Sequence, residues 1–343
     1  MRFKCILILM RNIPFLSILI ITIFLLSVNI PAYSQDNEQE NENLQPDFRY
    51  GFSLGIQTGV VYGQAAELVY PSTTKAEYLS ELLWDMKPVF YLGLQADFNR
   101  VNLMSKPGFF ASASFKLGIP GDTGIMEDRD WQSTVNDALT NFSSHTNKTR
   151  EFYWADIFMG VSIPVKTYFY IKPFLSGSWM HFAFTARDGY WKYAQETASG
   201  VYKPIEDNPA YGTLTGNVIR YRQDWFLAAI GFSAGTDILQ PFSFELFFQI
   251  SPVTYCAASD NHLLTSVTYN DYSSWGLFIE PKIKIAYAYK NIEFSLEGAY
   301  RFIGDTEGPS YRDKGNTGYF YPNDKAGAGL SLFDTRFIFR YFF

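Results

Sequence analysis

The last sixteen residues, Ala328 to Phe343, constrain the fold more than any other stretch of the chain. Counting back from Phe343, the residues Tyr341, Phe339, Phe337, Thr335 and Phe333 fall on one face of a strand, and Arg340, Arg336 and Asp334 fall on the other. Side chains two apart in a strand point the same way, so one face is an aromatic row and the other is charged. In a soluble sandwich this strand would bury its arginines or expose its phenylalanines, and an exposed aromatic row invites aggregation. Lipid outside and a charged interior reconcile the two faces. The pattern predicts a membrane-spanning strand.

The same two-residue alternation recurs about ten times, over residues 50–63, 79–98, 109–119, 152–165, 168–191, 221–236, 242–258, 275–289, 292–303 and 328–343. Each segment meets or exceeds the roughly nine to eleven residues of a tilted transmembrane strand. Connections alternate in length. Lys166-Thr167, Leu239 to Pro241 and Lys290-Asn291 are tight, whereas residues 64–78, 120–151, 192–220, 259–274 and 304–327 are long and polar. Convincing helical stripes are missing, although aromatic residues make up 18% of the chain. The expected fold is all-β, a ten-stranded antiparallel transmembrane β-barrel with long extracellular loops on one rim. Such a barrel is too narrow for a wide aqueous pore and fills its interior with side chains. Function belongs at the rim.

Residues 1–34 carry the marks of an export signal: Arg2, Lys4 and Arg11 at the start, an apolar run from Ile13 to Val28, then Ala32-Tyr33-Ser34. The run is about sixteen residues, short for a helical span. Residues 35–47 read as a flexible acidic leader, and residues 48–343 as the barrel. Three of the 28 Lys and Arg precede Gln35 and none of the 34 Asp and Glu do, which leaves the exported chain at −9. That balance argues against a nucleic-acid partner. Cys5 leaves with the signal, so Cys256 is alone and no intrachain disulfide is expected.

Two short elements carry chemistry. Asp128-Arg129-Asp130-Trp131 puts two carboxylates on one strand face, where mutual repulsion raises one pKa and makes a seat for water. Asp260-Asn261-His262 pairs a carboxylate with an imidazole in the same way, which orients the ring and raises its basicity. Either element alone is also what an ordinary polar loop looks like. A lone thiol six residues from His262 does not make a nucleophilic pair of Cys256, and three scattered His without a Cys cluster do not make a zinc site.

Taken together these residues resemble the omptin family of outer-membrane proteases. Asp128-Arg129-Asp130-Trp131 and Ser259-Asp260-Asn261-His262 fit its two catalytic elements. In order along the chain, Glu67-Leu68-Val69-Tyr70 with Leu79-Ser80-Glu81-Leu82-Leu83-Trp84, His145 after Thr140-Asn141, and Phe184-Thr185-Ala186-Arg187-Asp188-Gly189 fit as well. The resemblance covers essentially the whole exported chain. It implies a bacterial outer-membrane location with the active site facing the exterior, Asp128, Asp130, Asp260 and His262 as catalytic residues, and a water attacking the peptide bond without an acyl-enzyme. It also implies acids that select basic residues on both sides of the bond. Glu67 matches the acid for the side chain preceding it. Ala258 stands where a second acid is expected, and Asn141 where an acid would favour a basic residue after the bond. The expectation is therefore a weaker or shifted preference, basic on the N-terminal side. The expected partners are peptide or protein substrates with basic residues and an outer-membrane lipid, the barrel being a monomer. No cofactor is expected beyond lipopolysaccharide or another such lipid, and the corresponding outer positions hold His181 and Asp224. The alternative reading is a non-catalytic barrel of the same frame, acting as an adhesin or recruiter of host proteins.

Overall fold

A computed structural model describes residues 50–71, 74, 76–100, 107–166, 168–314 and 319–343. The export signal at 1–34 and the leader at 35–47 lie outside the described residues. Ten long strands make the barrel. They are β1 (Tyr50–Tyr70), β2 (Ser80–Arg100), β3 (Gly108–Gly118, continuing as Gly121–Asp130), β4 (Asn141–Lys166) and β5 (Phe169–Tyr193). The second half is β6 (Ala210–Thr236), β7 (Phe242–Ser251 and Thr254–His262), β8 (Val267–Ser274 and Phe278–Tyr289), β9 (Ile292–Ile303 and Gly308–Lys314) and β10 (Tyr319–Phe342).

Each strand pairs antiparallel with its sequence neighbours, and β10 returns to β1 in register from Ser53↔Phe342 to Tyr70↔Lys325. The ring is closed, as lipid demands. It has two storeys. Four strands, β3, β7, β8 and β9, break partway up and resume. Pro120 and Pro252 stand at the first two breaks, where a missing N–H interrupts the ladder. The other two breaks lie side by side: a Cβ on Gly276 would come within 2.3 Å of the Gly304 carbonyl oxygen.

In the lower storey the sequence pattern holds as read. Phe333, Phe337 and Tyr341 face outward, and Asp334, Arg336 and Arg340 are buried inside. The inside is a ladder of ion pairs. Lys116 lies 2.6 Å from Asp334, which also accepts the Tyr91 hydroxyl. Arg301 joins Glu280 and Asp156, Arg336 donates to Glu297 at 2.9 Å, and Arg340 meets Asp97 at 2.8 Å. A buried ion without a partner is expensive; these are matched.

Above the breaks the outside turns polar. Arg129 bridges Glu81 and Glu127, and Arg187 meets Asp122 at 2.8 Å. This corrects the loop boundaries. Residues 121–130, 141–151, 210–220 and 267–274, expected within loops, are paired strand, as are parts of 304–327. With water outside and a polar mouth inside, neither face needs apolar side chains, so the alternation that marks a membrane strand fades while the ladder continues. Longer connections persist at 131–140 and 194–209, the latter holding a small hairpin of Glu196–Ala198 with Val201–Tyr202. Between the storeys, Trp84 stacks on Tyr221 at 5.2 Å and on Phe184 at 5.6 Å, among buried Met126, Phe152, Met180 and Phe182. This apolar layer closes the barrel and forms the floor of the mouth.

Candidate active site

Asp128 and Asp130 end the upper part of β3. They are held between β2 (Leu82↔Asp128, Ser80↔Asp130) and β4 (Asp128↔Ser143, Asp130↔Asn141). Asp260 and His262 end β7, between β6 (Asp260↔Tyr221, His262↔Ile219) and β8 (Asp260↔Tyr269, His262↔Val267). In a ring of ten, β3 and β7 are separated by three strands one way and five the other, so the two pairs occupy near-opposite walls. All four sequence-predicted catalytic residues thus come to one mouth.

The Asp260 carboxylate lies 2.5 Å from His262 Nε2. Asp260 is buried, while His262 remains partly open and meets Tyr269 edge-on at 5.6 Å. Burial alone would lower the imidazole pKa. The hydrogen bond and charge of Asp260, with the charges of Asp128 and Asp130, carry it above the ordinary value instead. Across the mouth, burial and then the neighbouring Asp130 push Asp128 up to about 8, against the pull of His262. Asp130 is also raised by burial, restrained by hydrogen bonds from Ser80 and Asn141. Two carboxylates this close share protons, and their titration belongs to the pair.

Glu67, in the floor beside Trp84, is buried and raised well above the usual range by burial and by Asp260, Asp271 and Asp128. Asn141 donates from Nδ2 to Asp130 Oδ2 at 3.1 Å, so it orients the acid pair. Ala258 is buried in β7 opposite Gln223 and Asp271. His145 is in the wall and not in the mouth. Its Nδ1 donates to the Asp188 carbonyl at 2.5 Å and its Nε2 accepts from Ser143 at 2.9 Å, and burial lowers its pKa, which keeps it neutral. The fit is made by Gly189, at φ 108°, where a Cβ would meet the Ser144 carbonyl at 2.0 Å.

Three contributors are visible only in the pairing. Ser80 donates to Asp128 Oδ1 at 3.3 Å. Gln223 reaches across the interior to the Ala66 carbonyl at 2.7 Å. Asp271 is buried beside Ala258. Strand register brings each of them in, and no spacing in the sequence signals it. Among the described residues no three His, Cys, Asp or Glu side chains converge as a metal cage.

On the outer wall His181 and Asp224 are cross-strand partners 2.8 Å apart, with Glu151 at 3.3 Å and the rings of Trp179 and Tyr153 alongside. Arg222, exposed on the same wall, lies 3.6 Å from Asp224, so both basic side chains of this patch stand beside acids.

Sequence comparison matches a family model described as the Omptin family to residues 48–343. Among solved structures, the outer membrane protease OmpT from Escherichia coli superimposes with a TM-score of 0.73 at 19% identity, over 86% of this chain and 97% of that one. The translocator domain of autotransporter NalP from Neisseria meningitidis matches with a TM-score of 0.33 at 9% identity, over 86% and 89% of the two chains. The P. putida toluene transporter TodX gives 0.29 at 8% identity, over 87% and 91%. No curated protein matches the sequence.

Proposed function

The chain belongs to the omptin family of outer-membrane barrels, and on that premise we propose that it is an endopeptidase that hydrolyses peptide bonds next to basic residues. The observation that carries this reading is the convergence of an Asp–His pair and an Asp–Asp pair on facing walls of one mouth, close enough for His262 to feel both members of the acid pair.

Asp260 fixes the His262 ring through Nε2 and stabilises the imidazolium that forms. A water seated between His262 and the Asp128/Asp130 pair gives its proton to the imidazole and attacks the peptide carbonyl. The acid pair, carrying one shared proton near neutral pH, holds the water and can donate to the developing oxyanion. Ser80 and Asn141 position that pair. The tetrahedral intermediate forms directly on water, so no covalent enzyme species accumulates. Glu67 sits in the floor to receive a cationic side chain before the scissile bond, while Asn141 leaves the other side without a carboxylate of its own.

Among the described residues the barrel ring itself has no open edge strand for self-association, in keeping with a monomer. The test is cleavage of a quenched Arg-Arg peptide by the refolded barrel, with and without lipopolysaccharide, beside His262→Ala and Asp130→Ala. Turnover in the wild type that disappears in both variants is expected. A folded wild type that cleaves none of a varied peptide set in any lipid would sink the reading and favour a loop-displaying adhesin.

A further inference from the structure

Asp271 is a buried carboxylate with no counter-charge. Its side chain is 3% exposed and its Oδ1 has no hydrogen-bond partner. Glu67, also 3% exposed, has the same vacancy at Oε2. No ion pair involves either residue among the described residues. Elsewhere in this barrel buried acids are matched by cations, as Asp334 is by Lys116 and Glu297 by Arg336. Two buried, unmatched acids in one compartment are costly unless a cation arrives from outside.

Register brings them together. Asp271 on β8 is the direct cross-strand partner of Ala258 on β7, and Ala258 is in turn the partner of Gln223 on β6. Direct partners share a face, with Cβ atoms about 5 Å apart. The Gln223 amide spans the mouth to the Ala66 carbonyl, one residue from Glu67. Glu67, Ala258 and Asp271 therefore line one recess over the Trp84 and Tyr221 rings, below Asp260. The methyl group of Ala258 leaves room where a longer side chain would stand. Burial, then the charge of Asp260, pushes Asp271 up to about 6, as expected for an acid waiting for a cation.

We propose that Asp271 is a specificity-determining residue that supplies, from the neighbouring strand, the carboxylate missing at Ala258, and that with Glu67 it selects an arginine guanidinium before the scissile bond. The inference rests on the protease reading for its catalytic consequence. Arginine is favoured over lysine because its fixed fork of N–H donors meets two separate carboxylates at once, whereas an ammonium is a compact point charge. The preference on the N-terminal side is then strong, contrary to the weakening that Ala258 alone suggests.

The experiment uses matched quenched peptides carrying arginine, lysine or citrulline before an otherwise identical Val bond; citrulline keeps the shape of arginine without its charge. In Asp271→Asn the arginine-to-citrulline ratio of kcat/KM is expected to fall about tenfold or more, as when a buried charge loses its partner. Citrulline turnover should be largely kept, and Ala258→Asp/Asp271→Asn should restore the ratio. An unchanged ratio, or an equal loss of kcat on every peptide, overturns the proposal; the latter would place Asp271 in support of the Asp260–His262 pair. If Asp271→Asn does not fold, Glu67→Gln decides: residual arginine preference supports a second acid, and complete loss of preference refutes it. Should the wild type lack turnover altogether, anisotropy of labelled arginine and citrulline peptides on the His262→Ala barrel, with and without Asp271→Asn, separates the two claims. Arginine-selective binding that Asp271→Asn abolishes keeps this proposal while the protease reading fails. Equal binding of both peptides ends it.

Discussion

The interiors of the two storeys hold similar side chains under opposite rules. Below the strand breaks, Asp156, Glu280, Glu297 and Asp334 are matched by Arg301, Arg336 and Lys116. Above them, Glu67, Asp128, Asp130, Asp260 and Asp271 share one histidine and no arginine or lysine among the described ion pairs. Charge balance makes the lower storey a strut. In the upper storey burial and the surplus of acid hold Glu67, Asp128, Asp130 and Asp271 above their ordinary pKa range. The difference teaches that in a small barrel the unbalanced charges, rather than the buried ones as such, mark the working end.

Four measurements would break or sharpen that contrast. The largest effect is expected for Asp260→Asn, which keeps the shape but no longer stabilises the imidazolium; kcat should fall by about 10² to 10⁴-fold, with the folded barrel's gel mobility retained. A loss under tenfold would mean that His262 needs no orienting acid. Next, Arg301→Met leaves Asp156 and Glu280 buried without their cation, and should cost about 3–5 kcal/mol in urea unfolding while leaving the arginine-to-citrulline ratio unchanged. An altered ratio would show that the storeys are not independent.

The third concerns pH. His262 is held above its ordinary pKa, so its neutral, basic form appears at higher pH, and the rising limb of kcat/KM is displaced upward. Asp260→Asn removes the hydrogen-bonded charge that does most to favour imidazolium, so the limb should move to lower pH as residual activity falls. A limb that stays in place would assign it to another group. The smallest effect is expected on the outer wall, where His181 is committed to Asp224 and Glu151. Added lipopolysaccharide should change the rate by less than about twofold, because a surface patch with balanced charges contributes little. A large activation would mean that lipid is recognised elsewhere.

Much of the lower storey was legible from the sequence. Phe333, Phe337 and Tyr341 alternate with Asp334, Arg336 and Arg340, and lipid on one side keeps that contrast sharp. The upper storey resembles loop in sequence because water lies outside it, and Asp122, Arg129 and Arg187 there carry no apolar signal. Asp128, Asp130, Asp260 and His262 stand out in the sequence because each pair is two residues apart, and the fold brings the two pairs to one mouth. Ser80, Gln223 and Asp271 were missed because their neighbours lie across a ladder, where only register reports proximity. Asn141 aligns in sequence with a position that contacts substrate, and its hydrogen bond to Asp130 ties it to the acid pair.

The paired strands above the breaks bear on how far the protein reaches. A strand such as β2, with 21 residues, rises about 3.3 Å per residue and, tilted, climbs roughly 50 Å, against about 25 Å of apolar band in an outer-membrane barrel. The remainder stands clear of the headgroups as a stiff turret of hydrogen-bonded sheet. Chemistry performed at its top is insulated from the thickness, fluidity and tilt of the bilayer below. On the protease reading, a soluble polypeptide would be met out in the medium, and cut there, without first adsorbing to the cell.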